Sequence, residues 1–239
     1  MAIDFLITND DGIGSDGIRR LAEAATRFGN VWVVAPAHQC SAASHSITLR
    51  SAIEVRPYDF PVTGVKAFSC SGTPADCVRV GSLNVLPDRP DIVLSGVNYG
   101  YNIASDIQYS ATAGAAFEAE FLGFLAIAFS EAMCPRHEVT DRYLPGILEE
   151  LIKEPYIPGQ IINVNFPDCG ADECRGILRN RKVSKDAYYK DHYNEVGRSP
   201  DGGVELMVEG VHEPVSEEDT DYGAVLGNHI SIGRVNNIG

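Results

Sequence analysis

Ile3-Asp4-Phe5-Leu6-Ile7-Thr8-Asn9-Asp10-Asp11-Gly12 is the stretch that decides the fold. A short run rich in apolar, branched side chains ends in Asn-Asp-Asp-Gly, which reads as a buried strand running into a turn. The period then changes. Ile18, Leu21, Ala22 and Ala25 fall at helical spacing within residues 15–28, and a second apolar run, residues 31–35, is stopped by Pro36. Outward along the chain the alternation repeats. Strands are expected at residues 91–95, 124–129 and 161–165, and helices at about 74–83, 111–122 and 142–153. Strands alternating with helices build right-handed βαβ units, so the fold class is α/β, with a mostly parallel sheet covered on both faces.

After Pro167 the character shifts. Residues 176–194 are polar, basic in patches and rich in Tyr, and residues 202–210 look like strand material. This region is expected to be a protruding hairpin or a disordered insertion, followed by a short helix at residues 221–226 and a strand at 229–232. Residues 1–167 are the expected core, and residues 168–239 an arm and tail completing one domain.

The 239 residues, 44% of them hydrophobic, suffice for a sizeable core. With 19 Lys and Arg against 33 Asp and Glu, the net charge is −14. That balance, without a basic run, argues against nucleic-acid duplexes and anionic membranes as partners. Six scattered cysteines without a C-x-x-C pair read as reduced thiols of a cytoplasmic protein. The first eight residues do not have the length or charge of a signal peptide, and no apolar run approaches a membrane span.

In an open parallel sheet, ligands bind at the carboxyl ends of the strands. Three segments should open there: Asn9-Asp10-Asp11-Gly12, Pro36-Ala37-His38-Gln39-Cys40-Ser41, and Gly96-Val97-Asn98-Tyr99-Gly100-Tyr101-Asn102. Adjacent carboxylates repel unless a cation accompanies them. Carboxylate, hydroxyl and amide oxygens suit a hard ion, Mg²⁺ or Mn²⁺, better than zinc. The plain alternative is that Asp10 or Asp11 only caps the helix that follows.

Residues 12–17 also fit G-x-G-x-x-G, the dinucleotide turn. Against that reading, the second strand ends in Val34-Ala35-Pro36 with no acid for a ribose hydroxyl, and Asp10 and Asp11 would face the pyrophosphate. Tyr109-Ser110-Ala111-Thr112-Ala113-Gly114 places small and hydroxyl side chains at a helix start, a cradle for phosphate or simply an N-cap by Ser110. Ser71-Gly72-Thr73-Pro74-Ala75-Asp76 has the form of a turn with Thr73 as N-cap. His38 and His45 flank Ser41, with a surface-loop role as their default.

Leu6-Ile7-Thr8-Asn9-Asp10-Asp11-Gly12, Ala35-Pro36 followed by Ser41, Ser71-Gly72-Thr73-Pro74, and Ser95 through Asn102 together resemble the SurE survival-protein family of 5′/3′-nucleotidases. The likeness runs in order from residue 3 to about residue 129, with an echo at Thr220-Asp221. It implies a Rossmann-like three-layer αβα core with a C-terminal extended arm, a homodimer or homotetramer, and metal-dependent acid-type phosphatase activity. By this resemblance Asp10, Asp11, Ser41 and Asn98 hold the divalent cation, Asp10 and Asp11 are catalytic, and Asn102, Ser110 and Thr112 contact phosphate, with Asn9 in the same loop. The sequence departs from the family pattern at Ala111, where glycine is usual, and in residues 37–42, which lack the family's basic side chains.

The expected function is hydrolysis of nucleoside 5′- and 3′-monophosphates, with short polyphosphate as a further substrate. The alternatives are an NAD(P)-dependent oxidoreductase using residues 12–17, or a non-enzymatic nucleotide or metal sensor.

Overall fold

The computed structural model describes residues 2–212 and 214–237. Strand β1 (Ile3–Thr8) sits near the middle of a nine-stranded sheet, with β2 (Gly29–Pro36) on one side and β5 (Ile92–Tyr99) on the other, both parallel to it. Beyond β2 lie β4 (Lys66–Cys70), parallel, and the antiparallel edge strand β3 (Val55–Tyr58). Beyond β5 come β6 (Leu125–Glu131) and β7 (Gln160–Phe166), both parallel. The antiparallel β11 (Ile230–Asn236) and the two-residue β8 (Ile177–Leu178) complete that edge, giving the order β3-β4-β2-β1-β5-β6-β7-β11-β8. The chain leaves β1 toward β2 and later returns to its other side as β5. A crevice therefore opens beyond the carboxyl end of β1, where an α/β sheet binds its ligands.

Alternation along β1 sends side chains to both faces. Phe5 and Ile7 join a core with Ile18 and Leu21 of α1 (Asp16–Ala25) and Val139, Leu144 and Ile147 of α4 (Glu138–Leu151). Leu6 points the other way, to Val78 of α2 (Pro74–Val80) and Ala115, Ala116 and Ala119 of α3 (Ala111–Phe121). The result is three layers, with each large apolar side chain buried in them contributing about 1.5–3 kcal/mol.

The expected strands and helices are present with adjusted ends. β5 runs four residues past Ser95, so Asn98 stands on the strand rather than in a loop after it. Between Ser95 and Asn98 the pairing with β6 slips, three steps on β5 matching two from Ala128 to Ser130. Such a bulge re-aims side chains near a strand end. Helix α4 starts at Glu138, ahead of the expected residue 142, and carries Pro145 inside it. Strands β3 and β4 were not anticipated: β3 is a four-residue edge strand with Arg56, Pro57 and Tyr58 exposed, and it shows no apolar alternation.

The Tyr-rich region forms a two-stranded ribbon, β9 (Tyr189–Arg198) and β10 (Val204–His212), separate from the main sheet. Its root is aromatic. Tyr188 packs on Tyr101, Tyr222 and His212, and the Tyr222 hydroxyl bonds His212 Nε2 at 2.8 Å. Helix α5 (Asp221–Leu226) ties this root to the core, Asp221 accepting from the amides of Ala104 and Ser184. No helix among the described residues is long and apolar enough to cross a membrane, and none of the six cysteines forms a disulfide.

Candidate active site

The three segments expected to converge do so at the carboxyl edge of β1, β2 and β5. Asp10 is 3% exposed. Its Oδ1 accepts from Thr112 Oγ1 at 2.6 Å, so the first turn of α3 reaches across to hold it. Asp11, beside it, accepts through Oδ2 from the amide of Tyr99 at the end of β5 (3.0 Å). Burial, reinforced by the neighbouring charge of Asp11, lifts the Asp10 carboxyl to about 6 in spite of the Thr112 hydrogen bond. Burial, with Glu131 nearby, also raises Asp11. Among the described residues neither carboxylate forms an ion pair. Neither serves as a helix cap, since the N-cap of α1 is Ser15.

The loop after β2 is tied to Asp10 one residue before Ser41. The Cys40 amide donates to the Asp10 carbonyl at 2.7 Å, and Ser41 Oγ accepts from Gln39 Nε2 at 2.9 Å. The rest of this long loop is pinned along its length. The Ser44 amide and hydroxyl donate to the carbonyls of Tyr109 and Gln108, His45 Nε2 meets Glu118 Oε2 at 2.7 Å, and Thr73 Oγ1 donates to Ser46 O. The Thr48 amide and hydroxyl donate to Asp76. Gly114 permits the closest approach, because a Cβ there would lie 2.4 Å from the Ser44 carbonyl oxygen.

Asn98 donates its amide N–H to Gly100 O at 2.8 Å, which leaves its amide oxygen for a ligand. Asn102 stands behind it, 3% exposed. Its Oδ1 faces Asn98 Nδ2 at 3.5 Å, and its Nδ2 donates to Ser130 Oγ at 2.6 Å. Asn102 is fixed by β7: its amide donates to Asn165 Oδ1, and its carbonyl accepts from Asn163 and Asn165. These two asparagines, with Ser130, were not singled out in the sequence, although Asn inside the buried run of residues 161–165 is the signal that could have found them.

The remaining candidates divide. Ser110 caps α3, its Oγ accepting from the Ala113 amide, and its hydroxyl hydrogen is left to donate. Thr112 is fully buried and spends its hydroxyl on Asp10. Asn9 is also fully buried and braces the turn, donating to Gly12 O and Ser15 Oγ, while its Oδ1 lacks a partner. What Asn9 still offers is an acceptor, which suits a cation or a water more than a phosphate oxygen.

The glycine-rich turn has a packing explanation. A Cβ on Gly17 would fall 1.9 Å from Val97 O, so α1 can lie against β5 only with glycine there. No dinucleotide is needed to account for it. Thr73 caps α2 in a reciprocal box with Asp76, as expected.

The donor set suits a hard cation: one buried and one half-buried carboxylate without a cationic partner among the described residues, a hydroxyl, an amide oxygen and the orphaned Asn9 Oδ1. Fold and site together define a three-layer α/β protein with an acidic, amide-rich cluster at the topological switch of its sheet.

The sequence model of the family described as survival protein SurE matches residues 5–188. A protein named 5′-nucleotidase SurE from Clostridium botulinum (strain Loch Maree / Type A3) is 36% identical over 234 residues, 96% of this chain and 91% of the relative. A protein of the same name from Brucella anthropi is 39% identical over 193 residues, 76% of this chain and 72% of its own length. The crystal structure of the SurE protein from Aquifex aeolicus matches with a TM-score of 0.82 at 34% identity, covering 98% of this chain and 93% of that one. The chain belongs to the SurE family.

Proposed function

We propose that this chain is a divalent-metal-dependent phosphomonoesterase of nucleoside 5′- and 3′-monophosphates, active also on short polyphosphate. One observation carries the reading: a buried Asp10 and a half-buried Asp11 stand side by side without an ion-pair partner among the described residues, within reach of the start of α3. The relatives named 5′-nucleotidase support the substrate class.

Asp10, Asp11, Ser41 and Asn98 would hold Mg²⁺ or Mn²⁺. When bound, the ion supplies positive charge to the phosphoryl group and acidifies a water at neutral pH. The chain's own residues do the rest. Thr112 orients Asp10, and the Tyr99 amide orients Asp11. The Asn102 brace, itself locked by Asn163 and Asn165, keeps Asn98 aimed at the crevice. The Ser110 hydroxyl offers a donor to a phosphate oxygen at the start of α3, where the helix dipole favours negative charge. Asp10 and Asp11 are the acceptors available for a proton from the attacking water.

Exposed apolar side chains on the β9–β10 ribbon, among them Tyr193, Leu206, Met207 and Val208, support a homodimer or homotetramer. The six unpaired thiols support a cytoplasmic location. The test is phosphate release from 5′- and 3′-monophosphates of each base and from tripolyphosphate, with Mg²⁺ or Mn²⁺. Release from the nucleotides is expected. Binding of nucleotides without any release would instead favour a sensor.

A further inference from the structure

The loop bearing Ser41 borders a second space. A cleft of about 380 Å³ opens at the carboxyl ends of β2 and β4, on the side of the site away from Asn98. Its wall includes His38 and Cys40 of the Ser41 loop, Glu54 and Arg56 along the β3 edge, and Ser71. The Cys40 amide donates to the Asp10 carbonyl, so the cleft begins one residue from Ser41 and next to the backbone of Asp10. Whatever is esterified to a phosphate bound there must leave the site through a neighbouring opening.

The opposite opening, about 320 Å³, is lined by Asp11, Asp16 and Glu131. Its guanidinium, Arg20, is already shared among Asp16, Glu131 and Asp141. That cleft is acidic and has no spare cationic donor. The β2–β4 cleft differs. Glu54 and Arg56 sit two residues apart on one face of an extended edge, their side chains 2.8 Å apart and mostly exposed. An exposed ion pair of this kind contributes little to stability, so the fold does not account for it. The backbone beneath it is fixed, the Glu54 amide donating to Ser71 Oγ and the Ser71 amide to Glu54 O.

A guanidinium beside a carboxylate presents donors next to acceptors on a rigid frame. A guanine edge is the complement, with O6 and N7 accepting and its N–H groups donating. The planar Arg56 and His38 groups also suit stacking on a base. We propose that this cleft seats the nucleoside half of a nucleoside monophosphate, its base read by Arg56 as donor and Glu54 as acceptor, with guanine the best fit. The proposal rests on the nucleotidase reading above.

The test compares wild type, Arg56→Ala and Glu54→Ala on GMP, AMP and p-nitrophenyl phosphate with Mg²⁺ or Mn²⁺, together with calorimetric titration of guanosine. Both side chains are exposed, so the variants keep the fold. Arg56→Ala is expected to raise KM for GMP by about tenfold or more, the scale of one lost base contact. It should leave kcat for GMP and both constants for p-nitrophenyl phosphate near wild type, and should weaken guanosine binding. Glu54→Ala should narrow the preference for GMP over AMP. The proposal is overturned if Arg56→Ala handles GMP as wild type does, or if GMP and p-nitrophenyl phosphate lose equally. A wild-type enzyme that cleaves p-nitrophenyl phosphate but no nucleotide overturns the nucleotidase reading, and this proposal with it.

Discussion

In the proposed mechanism Asp10 concentrates the chemistry because its surroundings work against its charge. It is buried next to Asp11, pushed up to about 6, and steadied by one hydroxyl. Asp10→Asn should keep the fold, with a thermal midpoint at or above that of wild type, since it removes a buried charge. Its phosphatase turnover should fall by about 10²–10³-fold or more, the scale for losing a group that stabilises transition-state charge. Near-wild-type turnover in a steady-state assay would remove Asp10 from the mechanism. Thr112→Val deletes only the steadying hydroxyl. It should weaken activation by Mg²⁺ by about 10–100-fold, as loss of an outer partner of a metal ligand does. Titration of activity against Mg²⁺ measures this. The segments holding Asp10, Asp11, Ser41 and Asn98 could be gathered from the sequence because each follows or ends a recognisable strand, and the family resemblance picked out those four within them. Asn163 and Asn165 could not. Their importance lies in bonds to Asn102, about sixty residues away in sequence, and no local pattern encodes that distance.

Among the elements, the loop between β2 and β3 is held by side-chain contacts rather than by a ladder. Without secondary structure of its own, it hangs on buried acids. Asp76 receives Thr48, and Glu118 receives His45 and Arg79. The hydrogen bond from His45, then that from Arg79, outweighs burial and holds Glu118 below its ordinary value of 4.5. A depressed folded value gives stability that is complete above pH 4.5 and lost as pH falls through the folded value. Glu118→Gln should therefore lie about 1–3 kcal/mol below wild type at pH 7, the worth of hydrogen bonds to a charged group. That gap should close in thermal melts as the pH drops below 4.5. A gap independent of pH would place the anchorage elsewhere. Gly17→Ala tests α1 packing: with Val97 O only 1.9 Å from the new Cβ, about 3 kcal/mol of stability should be lost in denaturant melts. The central strands and the five α-helices were legible because apolar periodicity betrays buried elements. Strands β3 and β4 were not: the edge strand β3 carries exposed Arg56 and Pro57, β4 begins at the exposed Lys66, and each owes its strand form to its neighbours rather than to its own pattern.

At the scale of the whole molecule, the ribbon β9–β10 stands apart from the core, and a lone two-stranded hairpin is at best marginal in water. Its sequence left hairpin and disorder open, since polar strand residues give no buried face to read. Its exposed apolar side chains predict a partner copy. In sedimentation velocity the wild type should run as a dimer or larger, and replacing Leu206 and Val208 with Lys should move it toward monomer. A wild type already monomeric at micromolar concentration would contradict that reading. The central claim, a hard cation held at the switch of the sheet, is tested most directly by stripping divalent ions with a chelator and measuring phosphate release from a nucleoside monophosphate before and after Mg²⁺ or Mn²⁺ is restored. The account predicts that activity vanishes in the stripped protein and returns with the ion. Undiminished release from the stripped protein would contradict it.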